Sequence, residues 1–164
     1  MAPLLVGCAA SIGGAATPTL DSKGNLGHEE RLAGEVAIGD PELRASATLG
    51  GGAGYFFGEH TAYGLISYQW GIEGGRERVW AVDAGWAGRF LAEEHAHVSH
   101  AFATDAKLLW SVRELGGEKS RLLLGPRIFA EYLAGPAGGP DRGLFGIGLE
   151  LRYVAFDTTG NRWF

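Results

Sequence analysis

The sequence predicts an all-β protein: eight antiparallel strands in an up-and-down meander, closed into a barrel. Three observations carry this. Long segments alternate between apolar and small or polar residues from about residue 9 to residue 156, and no 3.6-residue stripe is sustained anywhere. Gly, Pro, Asp and Asn clusters separate the segments, as tight turns require. Eight consecutive strands with short links are enough to close a sheet on itself and remove both edges.

Each strand shows two faces. The first, Ala9 to Leu20, sets Ile12 and Leu20 against Ser11, Thr17 and Thr19. After the polar run 21–25, the second, Glu30 to Gly39, sets Leu32, Val36 and Ile38 against Arg31, Ala33, Glu35 and Ala37. Asp40-Pro41 turns the chain, because Pro presets the φ of a turn's first central position. The third, Leu43 to Phe57, sets Ala45, Ala47, Leu49, Ala53, Tyr55 and Phe57 against Arg44, Ser46, Thr48 and three glycines. The fourth sets Ala62, Ile66, Tyr68, Trp70 and Ile72 against Tyr63, Leu65, Ser67 and Gln69. The fifth sets Trp80, Val82, Ala84, Trp86 and Phe90 against Ala81, Asp83, Gly85, Ala87 and Arg89. The sixth sets Phe102, Thr104, Ala106, Leu108, Trp110 and Val112 against Ala103, Asp105, Lys107, Ser111 and Arg113. The seventh sets Leu122, Leu124, Ile128 and Tyr132 against Arg121, Leu123, Arg127, Phe129 and Glu131. Pro126 removes one ladder donor there, which predicts a bulge or irregularity. The eighth, Gly143 to Phe156, sets Phe145, Ile147, Leu149, Leu151 and Tyr153 against Leu144, Gly146, Gly148, Glu150, Arg152 and Val154.

Alternation alone does not say which face is outside. A soluble lipocalin-like barrel holds its apolar face inward and binds an apolar ligand; a membrane barrel inverts this. Inversion fits better. The apolar face of the fourth to eighth strands carries no charge, and a charge at the bilayer midplane costs roughly 2–4 kcal/mol. The opposite face mixes small residues with both signs: Glu35, Asp83, Asp105, Glu131 and Glu150 against Arg44, Arg89, Lys107, Arg127 and Arg152. Such a mixture suits a narrow interior in which buried charges pair. With both termini at one end, Tyr68, Trp70, Trp80, Trp110 and Tyr153 sort to a lower rim. Tyr55, Phe57, Phe90, Phe102, Tyr132 and Phe145 sort to an upper rim, while Trp86 falls between. Two aromatic belts about 25 Å apart are what the two interfaces of a bilayer select. Short lower turns and longer upper loops at 92–98 and 135–141 agree. The expected fold is therefore a transmembrane barrel.

On this pattern, over about 145 residues, the chain resembles the small eight-stranded outer-membrane barrels of Gram-negative bacteria. The resemblance implies a non-enzymatic structural or surface protein in the bacterial outer membrane, with the lipid bilayer as its partner. It departs from the pattern at the C-terminus: Phe164 is a terminal aromatic, but the tail 157–164 alternates poorly. Eight strands leave a lumen just filled by side chains, so a general pore is not expected.

Composition closes off other classes. Glycine is 28 of 164 residues without a three-residue period, and three Lys stand against eleven Arg. A net charge of −5 gives no reason to expect nucleic acid. No stretch of eighteen apolar residues is present for a helical span. One cysteine excludes an internal disulfide. Leu5-Val6-Gly7-Cys8 resembles a lipobox, which implies lipidation at Cys8. The expected organisation is then residues 1–8 as a remnant of a lipoprotein signal or anchor, 9–156 as one barrel, and 157–164 as a periplasmic tail.

No catalytic residue, cofactor or metal site is expected. His95 and His97, beside Glu93 and Glu94, read as a solvated loop more readily than as a metal site. His97-Val98-Ser99 resembles the His-x-Ser of outer-membrane lipid A deacylases, which implies a Ser nucleophile activated by His. Here His100 replaces the family's Asn, and Ser111 stands where the orienting acid belongs, so the triad is incomplete. The run Gly50-Gly51-Gly52-Ala53-Gly54 lacks the Lys-Ser/Thr of a phosphate loop and reads as a site of sharp bending or close backbone approach.

Overall fold

A computed structural model describes residues 7–40, 43–56, 59–74, 78–91, 97–114, 120–134 and 142–157. Period-two side chains and frequent turn residues produce eight strands: β1 (Gly7–Asp21), β2 (Leu26–Asp40), β3 (Leu43–Phe56), β4 (Glu59–Gly74), β5 (Arg78–Leu91), β6 (His97–Glu114), β7 (Arg121–Ala134) and β8 (Arg142–Asp157). Each pairs antiparallel with its sequence neighbours, and β1 pairs with β8 to close the barrel.

Closure is staggered. A ring of opposed residues that leaves β1 at Cys8 passes through Ile38, Ala45, Trp70, Ala84, Thr104, Ala130 and Phe145, and returns to β1 at Leu20. That return is twelve residues beyond the start, so the strands tilt steeply against the barrel axis. We call the end holding Gly7 and Asp157 the lower end.

The side-chain alternation resolves into two unlike surfaces. Outward positions are apolar and exposed: Leu49 is 69% exposed, and Trp70 and Leu149 are each 60% exposed. Inward positions are layered. An upper apolar cluster contains Tyr63, Leu65, Ala87, Ala101, Ala103, Phe129 and Leu144. A lower one contains Val79, Leu109, Leu123 and Val154. Buried charged groups lie between and beside them. Glu30 and Arg113 are the exposed charges on the outward faces of β2 and β6 among the described residues; Glu30 lies in the upper part of β2 and Arg113 at the lower end of β6.

Several boundaries differ from the sequence expectation. The ladder begins at Gly7 and runs to Asp157, so the barrel is slightly longer than residues 9–156. β2 starts at Leu26 rather than Glu30, because Asp21 ties the first turn tightly through Oδ1 to the amides of Lys23 and Asn25 at 2.8 and 2.9 Å. The contrast between short lower turns and long upper loops does not hold. The lower connection 115–120 is longer than the upper connections 22–25 and 57–58.

Pro126 stays in register with Leu149 on β8, yet no pairs form with β6 between Lys107–Arg127 and Trp110–Leu124. The missing N–H accounts for this gap. The register slips further down, between Ser111 and Arg113, and this bulge leaves Arg113 exposed.

Small residues of the inward face make room for large ones. Gly146 on β8 faces Phe129, and a Cβ there would also lie 2.7 Å from Thr17 Cγ2. Gly146→Val should therefore overpack the upper lumen and lower stability by about 1–3 kcal/mol, read as an earlier midpoint of urea unfolding in detergent.

Candidate functional site

The one concentration of polar chemistry among the described side chains is the lumen. Apart from Asp21 in the first turn, it holds Glu29, Glu35, Glu73, Asp83, Asp105, Glu131 and Glu150 against Arg31, Arg44, Arg89, Lys107, Arg121, Arg127 and Arg152, seven of each sign among the described residues. All ten charged residues read from the sequence as lumenal lie on this inward face and in ion pairs. Glu29, Arg31, Glu73 and Arg121 complete the set on the inward face.

The upper tier centres on Arg89 of β5. Its Nε and Nη2 donate to both Glu131 oxygens of β7 at 2.8 Å, and Nη1 donates to Glu29 Oε1 of β2 at 3.1 Å. Its guanidinium lies 4.3 Å over the Tyr63 ring, and the Tyr63 hydroxyl donates to Glu29. Gly52 of the glycine run faces this ring, where a Cβ would lie 2.7 Å from the hydroxyl. The glycine run thus makes space for Tyr63 as well as for backbone.

The lower tier is a continuous net. Arg44 of β3 holds both Asp83 oxygens of β5 at 3.0 and 3.1 Å and also pairs with Glu73 and Glu35. Lys107 lies 3.2 Å from Asp105 and 3.8 Å from both Asp83 and Glu35. Arg127 donates to Asp105, lies 3.6 Å from Glu150 and stacks 4.6 Å over Phe129. Arg152 holds Glu150 at 2.7 Å and reaches Glu35 at 3.4 Å.

Five of these ion pairs skip a strand or cross the barrel: β5 to β7, β5 to β2, β3 to β5, β6 to β2 and β8 to β2. They brace the cross-section, where neighbouring-strand pairs would only reinforce the ladder. Every carboxylate of the set is engaged by a cation, which leaves none poised as a general base. Among the described residues two small cavities, of about 30 and 20 Å³, lie in the lumen, both lined by Arg152 and Glu35. Each has room for only one or two waters. Arg127, whose Nη1 is buried without a hydrogen-bond partner in the protein, lines the first of these cavities; Thr17 Oγ1 and Glu29 Oε2 are likewise without one.

The outward aromatics read from the sequence are placed as follows. Tyr68, Trp70, Trp80, Phe90, Phe102, Trp110, Tyr132, Phe145 and Tyr153 are exposed on the outer wall, and Tyr55 is half-exposed. Phe57 lies outside the described residues. Trp86, which fits neither rim, has a structural reason for its place. Tyr68, Trp86, Phe102 and Tyr132 stand opposite one another in register across β4 to β7, with the Tyr68 and Trp86 rings stacked at 6.4 Å. Strand tilt makes this row climb from β4 to β7, which sets Tyr68 away from the lower rim.

Cys8 is exposed on the outer wall near the lower end of β1. His95 and its neighbouring glutamates lie outside the described residues, as do the side chains of His97, Ser99 and His100. Among the described residues no group of three or more His, Cys, Asp or Glu gathers in a way that would hold a metal ion.

Glu29 was missed because it immediately precedes the residue taken as the strand start, although it shares the alternation of Arg31. Glu73 was missed because it abuts a Gly-Gly turn. Continuing each alternation by one step into the adjacent loop finds both. Removing Arg89 strands two buried carboxylates. Arg89→Met should cost about 3–5 kcal/mol by chemical unfolding in detergent, with much of it recovered in Arg89→Met/Glu131→Leu/Glu29→Leu.

No protein-family model matches the sequence, and no curated protein matches it. Solved structures do. Neisserial surface protein A is similar at 12% identity, with 88% of this chain and 95% of that one covered and a TM-score of 0.51. Ail, the attachment invasion locus protein of Yersinia pestis, aligns at 10% identity over 89% and 97% of the two chains, with a TM-score of 0.48. The outer membrane protein OprG from Pseudomonas aeruginosa aligns at 10% identity over 89% and 95%, with a TM-score of 0.45. At these identities the likeness is one of fold: the chain is a closed, eight-stranded antiparallel meander barrel.

Proposed function

We propose that this chain is a non-enzymatic barrel of the bacterial outer membrane, spanning the bilayer with its apolar wall in lipid and its lumen closed by ion pairs. One observation carries the reading: the polarity of a soluble protein is inverted. Arg127, Asp83 and Glu29 are 1–2% exposed, while Leu49, Trp70 and Leu149 are 60% exposed or more. An apolar wall of this extent, continuous around the barrel, far exceeds the few-hundred-Å² patches a soluble monomer shows.

The lumen reads as structural. Its two tiers and two apolar clusters fill the section, and the remaining cavities hold a water or two, far below the 300–1,000 Å³ typical of a ligand pocket. This argues against an apolar-ligand carrier of the lipocalin kind. The exposed aromatics serve as interfacial anchors in this reading, with the lower end periplasmic. Lipidation of Cys8 would set an acyl chain against the same apolar wall.

In a detergent phase-partition experiment the full chain should collect in the detergent phase as a β-rich species that migrates faster on gels unheated than boiled. Recovery of folded protein in buffer without detergent would overturn the membrane reading.

A further inference from the structure

The upper rim of the outer wall changes chemistry at one place. Around β5 to β8 its outward residues are Phe90, Phe102, Tyr132 and Phe145. Across β2, β3 and β4 the corresponding residues are His28, Tyr55 and His60, directly opposite one another in register. Their rings touch edge to face: Tyr55 and His60 at 5.0 Å between centroids, His28 and His60 at 6.1 Å. Both histidines are exposed and Tyr55 is half-exposed. Hydrophobic anchoring alone does not need imidazole at two of these positions. Imidazole adds ring N–H donors that a phenyl ring lacks.

We propose that His28, Tyr55 and His60 form a site for the phosphate of an anionic lipid headgroup. The inference rests on the membrane reading, which sets this trio at the level where headgroups meet the wall. Two imidazoles and a phenol offer three donors from one row to the oxygens of a phosphate monoester, and the bonds become charge-assisted when the rings are protonated.

The surrounding charges fit a ligand held at the rim and no deeper. Glu30 lies one outward step below His28 on β2 and repels a phosphate from the wall beneath. Among the described residues the other outward neighbours are uncharged: Pro18 opposite His28 on β1, and Ala53 and Ala62 opposite Glu30 on β3 and β4. Lys23, exposed in the connection leading into β2, adds a cation at the same end. A divalent metal fits less well, since the described residues gather no third ligand.

The test is native mass spectrometry of the full chain in a neutral detergent. Phosphatidic acid, phosphatidylcholine and inorganic phosphate are added separately and in competition at pH 5.5, to the wild type and to His28→Gln/His60→Gln. Circular dichroism confirms the barrel in both proteins. The wild type should retain phosphatidic acid about tenfold over phosphatidylcholine at pH 5.5, and the double variant should lose the preference. Equal retention by both proteins, or no preference for phosphatidic acid at pH 5.5, overturns the site. Displacement by an equal concentration of inorganic phosphate overturns the lipid source. The partition experiment decides the membrane reading separately: a chain that enters the detergent phase yet ignores phosphatidic acid sinks only the headgroup site.

Discussion

Buried charge is the constraint on which the rest of this structure depends. An isolated ionised group taken out of water is too costly to keep, so each must meet a partner with good geometry. An eight-stranded barrel brings opposite walls within reach of one arginine side chain, and the lumen uses that reach. Arg89 spans from β5 to both β7 and β2, and Arg152 spans from β8 to β2. The links fix the cross-section and the stagger together, because a slip of one residue between strands would turn a paired carboxylate toward the outer wall.

The small residues of the inward face follow from the same constraint. A lumen crowded with arginines and a few rings needs glycines opposite them. Gly52 faces Tyr63 and Gly146 faces Phe129. With the interior full, the remaining apolar side chains have only the outside left. The inverted polarity and the balanced lumen are one fact seen from two sides.

Much of this was legible in the sequence. Strict alternation in β4, β5, β7 and β8 assigns the faces residue by residue, because a period of two leaves no freedom once one position is placed. The ten charges facing inward follow directly. What was not legible lies where alternation is weak or where distance through space decides. The starts of β2 and β6 are obscured by charged and polar residues that also suit loops, which hid Glu29. The slip at Ser111–Arg113 breaks the period that would have placed Arg113 inside. Partner choice, such as Arg89 with Glu131 instead of a nearer strand's carboxylate, depends on the stagger, which no single strand encodes. The climbing row from Tyr68 to Tyr132 depends on it too; sorting aromatics by sequence distance alone treats tilted strands as vertical.

The central claim is that the apolar face of every strand meets lipid. Tryptophan quenching by brominated phospholipids tests it most directly, with single-tryptophan proteins that retain Trp70, Trp86 or Trp110 in bilayers. Bromines in the acyl chains should quench all three. Trp86, between the belts, should respond most to bromines deep in the chain, and Trp110, near the lower end, to shallow ones. Strong quenching by aqueous acrylamide with no response to brominated lipid at any depth would contradict the account.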